Sequence, residues 1–111
     1  MPANSREIKR REAAARAAIK KAFGTPNDEF GATLFVSQHL EELDAGYWEK
    51  HLSTKTPDPA RVLEMLELHS HWGGDDELDI FDFTLPDEVT NYVISVTFEE
   101  SGEVSGITME S

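Results

Sequence analysis

From Tyr92 to Phe98 the chain changes period: Tyr92, Ile94, Val96 and Phe98 alternate with Val93, Ser95 and Thr97. Successive side chains of an extended chain point to opposite faces, so this segment reads as a strand with one face buried. Ser101-Gly102 makes a tight connection to Val104 through Met109, which predicts a hairpin. Leu78 to Leu85 is also strand-like, but its alternation slips, with Leu78 and Ile80 in one phase and Phe81, Phe83 and Leu85 in the other. A bulge, or burial of both faces, would reconcile the two phases. Pro86 to Asn91 connects this strand to the next.

Upstream the pattern is helical. Ser5 to Phe23 holds an alanine-rich run of high helix propensity and stops at Gly24. Its apolar face, Ile8, Ala15, Ile19, Ala22 and Phe23, is narrow and predicts weak docking on the rest of the chain. Thr25-Pro26-Asn27-Asp28 is a second helix start, with threonine as cap and proline at the first position. Thr33-Leu34-Phe35-Val36 within the following stretch suits either a helix or a short buried strand, and the length of the stretch favours helix. Tyr47 to Leu52 continues as a short helix. Asp58-Pro59 opens another, expected to end near His69, after which Ser70 to Asp76 reads as an exposed loop around Trp72. The expected class is α+β, with N-terminal helices packed on one face of a C-terminal three-stranded antiparallel meander.

Charge divides the chain differently. Seven of the ten Lys and Arg lie in the first 21 residues beside two Glu, leaving that segment at +5 and the other 90 residues at −17. After Arg61 there are 13 acids and no Lys or Arg. This gives a basic, alanine-rich helical arm over residues 1–24 and a single acidic α+β domain over 25–111. An acidic body repels nucleic-acid phosphates and anionic lipid, so neither nucleic acid nor membrane is an expected partner. Without cysteine there is no disulfide framework, thiol nucleophile or thiolate metal site. The charged N-terminus lacks the apolar core of a secretory signal, and a cytoplasmic protein is expected.

The residues that could carry chemistry are few. His69 and His71 lie close to Asp75, Asp76, Glu77 and Asp79, and His39 could join them from a helix. Imidazole with carboxylate suits a divalent metal, but the spacing matches no established metal motif, and a surface loop with two titrating histidines is the favoured reading. Glu64, Glu67, Asp79 and Asp82 could pair as hydrolytic carboxylates, yet 22 acids in 111 residues make such pairs commonplace. No phosphate-binding glycine loop or nucleophile elbow is present, so neither a catalytic set nor a cofactor is expected. Tyr47 and Trp48 read as core. Trp72, beside Asp75, Asp76, Glu77 and Asp79, is the candidate partner-binding surface, because aromatics are enriched at interface hot spots and acids suit a basic partner.

The segments Phe83-Thr84-Leu85-Pro86-Asp87-Glu88-Val89-Thr90-Asn91-Tyr92-Val93-Ile94-Ser95-Val96 and Met109-Glu110-Ser111, with Phe35 to Leu43 and Tyr47-Trp48, resemble a family of small uncharacterised bacterial cytoplasmic proteins, a domain of unknown function. The resemblance covers roughly residues 28–111 and leaves out the basic arm. It implies a bacterial, single-domain, soluble protein, and no activity or site residue follows from it. The expected function is that of an acidic binding module occupying a basic partner, as immunity proteins and other acidic inhibitors do. The alternatives are a self-associating structural or regulatory protein, as a homodimer, and a weak divalent-metal binder.

Overall fold

The computed structural model describes residues 5–73 and 78–111, with Ser5 described by its backbone alone. Four helices precede a four-stranded antiparallel sheet: α1 Ser5–Ala22, α2 Ala32–Glu42, α3 Ala45–Leu52 and α4 Pro59–Glu64, then β1 Glu67–Trp72, β2 Ile80–Thr84, β3 Val93–Phe98 and β4 Val104–Glu110. The strands lie in chain order, β1-β2-β3-β4, so β1 and β4 are the edges. The α+β class stands as expected, whereas the meander has four strands instead of three.

The additional strand is β1, expected as the end of a helix followed by a loop. The helix opened by Asp58-Pro59 stops at Glu64, and Trp72 sits in a strand opposite Ile80. The register shifts between Leu68 and Ser70, so His69 is a bulge. On either side of it, Leu68 faces Phe83 and His71 faces Phe81 across the β1–β2 ladder. An inserted residue puts these inward positions three apart and erases the two-residue period. The phase slip upstream of β2 has a simpler cause: the strand begins at Ile80, and Leu78 is buried ahead of it.

One face of the sheet is packed. Phe81, Phe83, Ile94 and Val96 are fully buried in one cluster with Ala15 and Ile19 of α1, Phe35 and Val36 of α2, Trp48 of α3 and Val62 of α4. The first helix is therefore seated more firmly than its small apolar face predicts, and two arginines explain how. Arg11 donates from Nη1 to the Leu78 carbonyl at 2.8 Å and lies 5.4 Å from the Phe98 ring centre. Arg16 donates to the Leu66 carbonyl at 2.7 Å and lies 5.0 Å from the Phe83 ring centre. Both stems cover apolar surface while the guanidinium groups satisfy chain carbonyls.

Local chemistry sets the joints. The Pro26–Asp28 turn is 3-10 rather than the start of α2, and it delivers the buried Asp28 carboxylate to that helix's N-terminus. There it accepts from the backbone N–H of Ala32 (3.2 Å) and Thr33 (2.8 Å) and from the Thr33 hydroxyl (2.8 Å). These bonds satisfy donors that a helix start leaves free, and the helix dipole favours the negative charge. Gly31 is required beside it, because a Cβ there would collide with Asp28 Oδ1. Gly102, at φ +90°, turns β3 into β4.

Candidate functional site

The other face of the sheet carries a groove that no described helix lines. Alternation that sends Phe81, Phe83, Ile94 and Val96 inward sends Ile80, Asp82, Thr84, Val93, Ser95 and Thr97 outward, and register aligns them into rows. Ser70, Asp82, Ser95 and Thr108 form one row across the four strands, and Trp72, Ile80, Thr97 and Gly106 form the next. Among the described residues, the groove over this face, about 520 Å³, is lined by residues of the strands, Asn91 and Ser111, with none from a helix.

Trp72 stands on this face, 49% exposed. Its indole Nε1–H donates to Asp82 Oδ2 at 3.0 Å, and the Ser95 hydroxyl donates to Asp82 Oδ1 at 2.6 Å. Both donors are neutral, so they orient the carboxylate without neutralising it. The same two bonds hold the indole in place before any ligand arrives.

A second groove of about 470 Å³ adjoins the first and shares His69, Asn91 and Val93 with it. Glu67, Thr84, Asp87 and Glu88 line its far end. The wall there is the β2–β3 connection, where Asp87 (φ +71°) and Glu88 (φ +53°) both adopt the left-handed conformation that L side chains rarely take. Helix α3 holds this connection in place. Asp87 Oδ2 receives His51 Nε2 at 2.8 Å and Lys50 Nζ at 3.1 Å, and the Tyr47 hydroxyl donates to the Pro86 carbonyl at 2.9 Å. The hydrogen bonds from His51 and Lys50 lower the Asp87 pKa. Burial, with the nearby charges of Asp87 and Glu67, pushes the Tyr47 phenol up to about 12, so it stays a donor at neutral pH.

The same connection is tied to α2 through His39, which is buried. Its Nδ1 donates to the Phe35 carbonyl at 2.6 Å, which leaves Nε2 to accept from the Thr90 hydroxyl at 2.8 Å when the ring is neutral. His39 is thus a structural bridge inside the helical layer, while His71 stacks on Phe81 with ring centres 5.3 Å apart and His69 is the exposed β1 bulge. Among the described residues, no three His, Asp or Glu side chains are grouped to hold a metal ion.

Of the carboxylates singled out from sequence, Asp79 is exposed beside Gly73, and Asp75, Asp76 and Glu77 lie outside the described residues. Glu64 closes α4, and Glu67 and Asp82 line the joined grooves. Ser95, Thr97, Thr108, Asn91, Glu88 and Glu110 also line the grooves, and none of them was singled out from sequence. The outward phase of β3 was visible, but its neighbours across the ladders depend on register, which a bulge at His69 conceals.

Charge is segregated between the layers. From Glu67 to Ser111 the chain has no Lys or Arg, so all ten basic residues belong to the helices and the segments joining them. Arg6, Lys9, Lys20 and Lys21 are exposed on α1. Among its described residues the outer sheet face offers carboxylates, hydroxyls, the His69 imidazole and the Trp72 indole, and its carboxylates are suited to binding cations. No helix among the described residues is long and apolar enough to cross a membrane. Comparison of the chain with protein-family models, with curated proteins and with solved structures finds no match.

Proposed function

We propose that the protein is a small acidic binding module that occupies a basic protein partner, in the manner of an immunity protein or another acidic inhibitor, through the outer face of its sheet. One observation carries this reading: an uncovered sheet face presents the half-exposed Trp72 together with Glu67, Asp82 and Glu110, in a segment that has no Lys or Arg. An aromatic anchor among uncompensated carboxylates suits a cationic surface, and the long-range field would steer the encounter. A cytoplasmic site of action suits a chain without cysteine.

The test is retention of proteins from a lysate of the source organism on the immobilised chain, run in parallel with Trp72→Ala and Glu67→Gln/Glu110→Gln variants. The expected result is a basic protein held at low salt, released at high salt, and held about tenfold less by Trp72→Ala, the size of loss typical of an interface anchor. Retention that survives both variants would contradict the reading.

Self-association is a second reading, favoured by the exposed cations of α1 and the acidic face on the opposite layer of the molecule. Such unlike patches would pair head to tail. Removing residues 1–24 is a poor test, since Ala15 and Ile19 belong to the core. Lys20→Glu/Lys21→Glu leaves the core intact. It should abolish any oligomer seen by sedimentation if this reading holds, and leave the mass unchanged if it does not.

A further inference from the structure

We infer that the joined grooves of the outer sheet face take one extended segment of the basic partner, with an arginine guanidinium laid against Trp72 and a second cation received by Glu67 and Glu88. The inference rests on the proposed function, since it names the part of a basic partner that the same face receives.

Continuity is the first argument. The two grooves abut at His69, Asn91 and Val93, with Trp72 lining one and the β2–β3 connection lining the other. A chain laid along such a trough touches its walls throughout, whereas the convex surface of a folded partner would meet only its rims. Charge is the second. Glu67 and Glu88 line one end, and at the other Asp82 is bonded by a neutral indole and a neutral hydroxyl that leave its charge uncompensated. The third is the preset geometry. Asp82 fixes the Trp72 ring, while Lys50, His51 and Tyr47 fix the strained wall at the other end, so little ordering remains to oppose binding. Arginine fits better than lysine because its flat guanidinium can stack on an indole and donate in its own plane to a carboxylate, while an ammonium group offers only a point charge.

The experiment titrates the full chain at low salt with a short peptide of alternating arginine and glycine, and with its lysine counterpart. Amide chemical shifts locate the site. Trp72 emission follows occupancy, since Trp48 is buried. The arginine peptide should shift the amides of Trp72, Asp82, Asn91 and Glu88 and bind about fivefold more tightly than the lysine peptide, within the range a cation on an indole face provides. Trp72→Ala should abolish that preference and Trp72→Phe should keep part of it. Equal affinities in the unaltered chain, or shifts spread over the helices, would overturn the inference. If a folded basic protein is retained through Trp72 while neither peptide seats in the trough, the extended segment is wrong and the proposed function stands. If neither is bound, both fall. A dimer of the free chain that the arginine peptide dissociates would make the occupant a second copy and overturn the assignment to a separate partner.

Discussion

The two faces of one sheet are made from the same strands and do opposite work. On the inner face Phe81, Phe83, Ile94 and Val96 have no exposed surface, and each buried side chain of this size contributes about 1.5–3 kcal/mol. On the outer face their immediate neighbours in sequence are Asp82, Ser95 and Thr97, with the half-exposed Trp72 across the ladder. Stability is thus concentrated on one side, where the helices lie, and the other side is left free to carry polar groups. Charge follows the same division, since the basic residues sit in the helical layer and none occurs in the strands.

Substitutions on the two faces are the way to break that contrast. The largest effect is expected from Phe83→Ala, which opens a cavity under the Arg16 guanidinium and should cost about 3–5 kcal/mol, a large part of a small domain's stability, read from urea denaturation. Asp28→Ala comes next. It leaves the start of α2 without its acceptor and should cost about 1–2 kcal/mol in the same assay. Trp72→Ala removes one hydrogen bond from a half-exposed position and should cost no more than about 1 kcal/mol, while reducing retention of a basic partner about tenfold. A loss of stability from Trp72→Ala as large as that from Phe83→Ala would collapse the distinction between the faces.

How much of this was legible in the sequence depends on whether a signal is local. The inward phase of β3 and the Ser101-Gly102 turn were readable, because alternation and turn chemistry need only neighbouring residues. The strand β1 was not. Its bulge at His69 breaks the period, and Glu67-Leu68-His69-Ser70-His71-Trp72 contains no β-branched residue to suggest a strand. The candidate surface was half visible in consequence: Trp72 stood out as an aromatic among acids, but its acceptor Asp82 lies ten residues away and becomes a neighbour only through the β1–β2 ladder. The firm seating of α1 was hidden for a related reason, since Arg11 reaches a carbonyl 67 residues away.

The smallest predicted effect lies on the helical layer. Glu7 accepts from Arg10 at 3.0 Å and from Arg11 at 2.6 Å, and these hydrogen bonds lower its pKa from 4.5 to about 2. A lowered carboxyl pKa stabilises the fold above the unfolded value, and the contribution disappears as pH falls through about 2. Glu7→Gln should therefore lower the melting temperature slightly at neutral pH, by the equivalent of less than about 1 kcal/mol for ion pairs screened at the surface, with the difference shrinking as pH falls through about 2. A difference between the two proteins that persists unchanged at low pH would show that the ion pairs are not its source.

The division of labour between the faces is tested most directly by one outer-face variant, Trp72→Ala with Glu67→Gln and Glu110→Gln, measured for both denaturation midpoint and retention of a basic partner. A midpoint close to that of the unaltered chain, with loss of retention, is the expected result. Undiminished retention, or a midpoint lowered as far as by Phe83→Ala, would contradict it.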